Sequence, residues 1–172
     1  VKQFFVFDVE SVGLYGEGFA VGGGVFLENG AIQNGFCFAS DPHLAFGRDE
    51  DRKWVDANIP VMEITHRSTS LLRAAFWNEW LKARTGGALM AADCAFPVEH
   101  GFIAQCILDD FKERSPLAPY PLVEISSLLL AAGMEPVGTY DREPSELPKH
   151  NPYCDAVQSA RMLATALAAI KP

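Results

Sequence analysis

The sequence predicts an α/β fold, one mixed sheet with helices packed against it. Three observations carry that expectation. The first forty residues hold apolar, strand-like runs joined by tight-turn signals, and later apolar runs alternate with segments of helical spacing. The 172 residues, 49% hydrophobic and 21% charged, suit a single domain with one sizeable core; a second full domain is not expected.

Phe4-Phe5-Val6-Phe7 is a short apolar run that stops at Asp8, as a buried central strand does. A glycine-rich stretch, residues 13–24, leads into Val25-Phe26-Leu27. The turn signal Glu28-Asn29-Gly30 and residues 31–38 then complete a three-stranded antiparallel meander. No Gly-Lys-Ser/Thr follows Gly22-Gly23-Gly24, so these glycines read as a strand lying close under a helix rather than a phosphate cradle. Residues 40–67 read as a long, polar, irregular connection, of the kind that is functional or mobile.

Residues 70–84 carry Leu72, Phe76 and Trp80 at helical spacing and stop at Gly86-Gly87. That spacing assigns Trp80 to the core. Residues 88–92 form a short strand ending before Asp93, and Pro97 opens a helix through Phe102, Ile103, Cys106 and Ile107. Residues 122–125 are the last strand and residues 126–132 a helix, followed by a proline-rich loop over 136–148. The final helix starts at Asn151-Pro152, a cap and first-turn proline, with Ala156, Val157, Ala160, Leu163, Ala164 and Leu167 as its apolar stripe. A meander followed by alternating helices and strands implies antiparallel and parallel strands in one sheet.

The formal net charge of -8 argues against a protein that coats nucleic acid nonspecifically. It leaves a nuclease open, because bound divalent cations reverse the local charge of a carboxylate site. No apolar run reaches the roughly 20 residues of a membrane span, and the N-terminus meets acidic residues too early for a secretory signal. Cys37, Cys94, Cys106 and Cys154 lie far apart, as reduced thiols of a cytoplasmic protein do. With His100 and His150 they lack the paired short spacings of a zinc site.

Three acidic signals stand out. Asp8-Val9-Glu10 places two carboxylates at i and i+2, on one face of a strand. The same D-x-E pattern at Asp141-Arg142-Glu143 follows no strand and reads as a solvated turn. His150 precedes Asp155 by five residues, with the histidine in a loop and the aspartate in the first turns of the last helix. The aspartate is then fixed and the histidine mobile, which suits a metal ligand beside a group that takes up and releases a proton. The alternative is an aspartate favoured by the helix dipole and an unrelated histidine. Asp93 directly follows a buried strand, where a carboxylate is costly unless paired or metal-bound; capping the next helix is its other reading. Asp8 and Asp93 both fall at the C-terminal ends of predicted strands, where sites in α/β sheets gather.

In this order, Asp8-x-Glu10, Asp93 and His150-x4-Asp155 resemble the DEDD family of 3′-5′ exonucleases, in the subgroup with a histidine five residues before the last aspartate. That family includes proofreading exonuclease subunits, oligoribonuclease and ribonuclease T. The resemblance spans most of the chain and implies a ribonuclease H-like fold in which the first strand, a middle strand and the final helix converge. It makes Asp8, Glu10, Asp93 and Asp155 the metal ligands and His150 the general base, with Ser11 in the place usually held by threonine. The middle motif departs from the pattern: Phe96 fits the aromatic position, but Pro97 stands where the family has aspartate. Asp93 is the preferred substitute, and Glu99, a turn into the helix, is the other.

The resemblance further implies two Mg2+ or Mn2+ ions, hard cations that favour carboxylate oxygens, with Asp8 as the bridging ligand. The implied substrates are single-stranded nucleic-acid 3′ ends or short oligonucleotides, RNA ahead of DNA. Some relatives pair, which points to a homodimer. Phe46, Arg48, Arg52, Lys53 and Trp54 read either as contacts to a single strand or as an ordinary solvated loop. Trp77 reads either as a base-stacking or as a core residue. Two other functions stay open. One is a ribonuclease H-like binding or assembly module without turnover, which the Pro97 departure keeps in view; the other is a phosphodiesterase for small nucleotides.

Overall fold

The computed structural model describes residues 2–170. Its elements are β1 (Gln3–Ser11), β2 (Gly18–Leu27), β3 (Ile32–Ala39), α1 (Asp49–Asn58), α2 (Thr69–Thr85), β4 (Leu89–Ala92), α3 (Val98–Asp109), α4 (Phe111–Arg114), β5 (Leu122–Glu124), α5 (Ile125–Ala131) and α6 (Pro152–Ile170). The strands form one five-stranded sheet in the order β3-β2-β1-β4-β5. β1 pairs antiparallel with β2 and β2 with β3, while β4 runs parallel to both β1 and β5. The expected α/β architecture, a meander extended by parallel strands and flanked by helices, is present. No described helix is long and apolar enough to cross a membrane.

β1 is central, and its period of two divides the core. Phe5, Phe7 and Val9 face one way, into a cluster with Leu72, Phe76 and Trp80 of α2 and Phe102 of α3. Phe4 and Val6 face the other, against Ile125 and Leu129 of α5 and Leu163 of α6. Burying each such phenylalanine contributes on the order of 1.5–3 kcal/mol. Trp77 and Trp80 are both buried, which assigns both to the core.

Two boundaries differ from the expectation. β1 does not stop at Asp8 but continues to Ser11, with Asp8 opposite Gly22 and Glu10 opposite Ala20. Asp8 and Glu10 therefore prolong the Phe4 and Val6 face as polar positions of the same strand. Residues 40–67 are not wholly irregular, because Asp49–Asn58 forms α1. Its first turn carries Asp49, Glu50 and Asp51, which suit the positive end of the helix dipole. Val55 is its one buried residue, so no apolar stripe betrayed the helix. Smaller shifts place Pro97 just ahead of α3 and Ile125 at the start of α5.

The glycine-rich strand decides how close α6 comes to the sheet. A Cβ on Gly22 would collide with the backbone of Pro152 and Tyr153, and one on Gly35 would stand 2.6 Å from the Tyr153 ring. The two glycines leave a hollow into which the first turn of α6 descends. Asn151 caps that turn, its Oδ1 accepting from the backbone N–H groups of Tyr153 (3.1 Å) and Cys154 (3.3 Å). Because Gly22 pairs with Asp8, the start of α6 is brought beside the acidic end of β1.

Gly22→Val is expected to destabilise the fold by about 1–3 kcal/mol through overpacking. The midpoint of urea denaturation reads this, and an unchanged midpoint contradicts the account of α6 docking.

Candidate functional site

Four separate parts of the chain deliver acidic groups to one end of the sheet. β1 supplies Asp8 and Glu10, the segment after β4 supplies Asp93, α3 supplies Glu99 and α6 supplies Asp155. Glu10 and Glu99 are each only 8% exposed. Ligand atoms of Glu10, His150 and Asp155 all lie within 4.8 Å of one another. Asp8 and Asp93 fall outside that trio, yet Asp8 feels the charges of Glu99, Glu10, Asp155 and Asp93.

The electrostatics follow from burial and crowding. Desolvation, then Asp155 and Glu99, push Glu10 up to about 8. Burial and the charge of Asp93 raise Glu99 to about 7, against hydrogen bonding from the backbone at Glu99 and Val9. Asp8 is held well above the usual carboxylate range, by burial first and its four acidic neighbours next. Asp93 keeps contact with solvent, and it too is raised, by desolvation and by Asp155 and Glu124. Among the described residues, one guanidinium and one imidazole approach the cluster within 4.0 Å. Arg142 pairs with Asp155, and His150 Nδ1 lies 3.8 Å from Glu10 Oε1.

His150 is less free than the sequence suggested. Its φ of 60° lies in the left-handed region, uncommon for a residue with a side chain, and its backbone N–H donates to Asp155 Oδ2 (3.1 Å). The imidazole meets the edge of Trp54 with ring centroids 5.4 Å apart. Trp54 belongs to α1, so the helix that the sequence did not reveal places an aromatic wall beside this histidine.

An open cleft of about 980 Å3 leads away from Glu10 and His150, with Leu14, Tyr15, Phe46 and Trp54 along it. All four of these apolar and aromatic side chains are exposed. Arg48 and Arg52 are committed elsewhere: Arg48 pairs with Asp51, while Arg52 pairs with Asp49 and donates to the carbonyls of Gly47 and Ala45. The rim is anchored by a network in which buried Arg73 of α2 holds Glu17 (2.5 Å) and Asp109 (2.6 Å). Glu17 in turn accepts from the Phe46 backbone N–H (3.0 Å) and the Thr69 hydroxyl (2.6 Å).

Of the expected site residues, Glu10, His150 and Asp155 come within 4.8 Å of one another, and Asp8 and Asp93 stand outside that trio within electrostatic reach. The role of Arg142 was not anticipated, although the D-x-E match at Asp141-Arg142-Glu143 had drawn attention to its position. No protein-family model matches the chain, and no curated protein matches it in sequence. The arrangement offers several hard oxygen donors with little cationic compensation, next to an imidazole able to exchange a proton.

The raised carboxyls set a pH dependence. In a chelator, Glu10 binds its proton more tightly folded than unfolded, so its stabilising contribution is complete below about 4.5 and is lost as pH climbs through about 8. The melting temperature of Glu10→Gln in EDTA is therefore expected to gain on that of the unsubstituted protein as pH rises across this window. A constant difference contradicts the assignment.

Proposed function

We propose that the chain is a metal-dependent 3′-5′ exonuclease with a ribonuclease H-like fold, acting on single-stranded nucleic-acid ends or short oligonucleotides, RNA ahead of DNA. One observation carries the reading: carboxylates from β1, α3 and α6 and the segment after β4 crowd around buried Asp8, with His150 beside Glu10 and Asp155 and their charge largely uncompensated. That crowding is costly for a purely structural site and is relieved by divalent cations. The five-stranded mixed sheet flanked by helices is consistent with the kind of fold that the resemblance implies.

The donor set fits Mg2+ or Mn2+, which favour carboxylate oxygen. When bound, a pair of such ions neutralises the phosphate and stabilises the attacking and leaving oxygens of an in-line displacement. Asp8, Glu10 and Asp155 would hold the ions. Glu99 is the better-placed fourth ligand, being buried and first among the charges that raise Asp8, while Asp93 lies more open to solvent. His150 takes the proton of the attacking water, with Trp54 against its ring limiting the ring's rotation. The exposed apolar cleft beside it offers stacking surface for the bases of a single strand.

A time course on 5′-labelled single-stranded RNA and DNA, with Mg2+, Mn2+ or EDTA, tests the reading. Products shortening from the 3′ end are expected with metal and absent in EDTA or with Asp8→Asn. His150→Ala is expected to slow the reaction by about 10²–10⁴-fold. Glu99→Gln should cost more activity than Asp93→Asn. No cleavage with either metal by the folded protein overturns the exonuclease.

A further inference from the structure

Arg142 occupies an unusual place. Its Nη1 donates to Asp155 Oδ1 and to the Glu146 carbonyl (2.7 Å), while the other Asp155 oxygen accepts the His150 backbone N–H. The segment that carries Arg142 is separately fastened to α6. Arg161 forks onto the Glu146 carboxylate (2.6 and 2.9 Å) and donates to the Asp141 carbonyl (2.7 Å), and the Cys154 thiol donates to the Leu147 carbonyl (3.1 Å). The guanidinium is thus delivered to Asp155 by an anchored strap that ends at His150. A cavity of about 290 Å3 of mixed lining, with Asp93, Arg142, Lys149 and His150 among its polar residues and Leu129, Val137 and Met162 among its apolar ones, adjoins it.

We propose that Arg142 is a built-in counter-cation that competes with a divalent ion for Asp155, so that ion binding turns its side chain out towards the adjoining cavity. The inference rests on the metal-dependent reading above. A guanidinium on Asp155 and a divalent cation among Glu10, His150 and Asp155 are like charges sharing one carboxylate, in a half-buried cleft where water screens them poorly. A carboxylate already paired gains less from a second cation. The coupling is reciprocal: whatever holds Arg142 on Asp155 weakens the ion, and the ion loosens Arg142. The strap itself stays fastened to α6 through Arg161 and Cys154, so the guanidinium alone moves between the two states.

Calorimetric titration with Mn2+ alone, on the full chain and its Arg142→Gln and Arg142→Lys variants, tests this without reference to activity. Arg142→Gln is expected to bind Mn2+ at least about fivefold more tightly, and Arg142→Lys to fall between it and the unsubstituted protein. In the unsubstituted protein, Mg2+ is expected to shift the Arg142 side-chain NMR resonance relative to EDTA, a readout that survives a variant failing to fold. Equal or weaker binding by Arg142→Gln, or an Arg142 resonance unmoved by Mg2+, overturns the proposal and leaves the metal reading standing. No Mn2+ binding by any of the three proteins overturns both.

Discussion

Five carboxylates held at one end of a sheet repel one another, and the structure must contain that repulsion. Burial makes it worse, because the cleft removes the water that would otherwise screen the charges. Asp8, Glu10 and Glu99 respond by holding protons far above the usual carboxylate range. Asp155 responds differently, accepting Arg142 on one oxygen and a backbone N–H on the other. One guanidinium therefore stands on the carboxylate that the proposed function assigns to a metal ion.

The scaffold that sustains this strain is assembled from ordinary packing. β1 buries aromatic side chains on both faces, then turns polar on one face at Asp8 and Glu10 without leaving the sheet. Gly22 and Gly35 allow α6 to approach closely enough for Asp155 of its first turn to meet Glu10. On the far side of the cleft, buried Arg73 ties Glu17 and Asp109 together and so links the β1–β2 loop to α2 and α3. α1 closes the remaining side with Trp54 against His150. Each element contributes a rigid backing, and the reactive groups project from them.

Much of this was legible in the sequence because it depends on local pattern. The Phe4–Phe7 run, the Asn29-Gly30 turn and the capped start of α6 follow from propensities that act over a few residues. Asp8 and Glu10 share a face for the same reason, the period of two in a strand. α1 was hidden because it rests on Val55 and an acidic first turn rather than an apolar stripe. The continuation of β1 past Asp8 was hidden because pairing with Gly22 and Ala20, a tertiary fact, sustains a strand that its own polarity would end. Arg142 was misread as a solvated turn because only the fold brings its loop back onto Asp155. The glycine run was read correctly as a surface under a helix, since the missing phosphate-binding motif left close packing as its simplest use.

The central claim, that this acidic cleft is a divalent-cation centre, is tested most directly by anomalous diffraction from crystals equilibrated with Mn2+. The account predicts anomalous density in contact with Asp8, Glu10 and Asp155, with Arg142 displaced from Asp155. Mn2+ confined to surface carboxylates, with the cleft unchanged and Arg142 still paired, would contradict it.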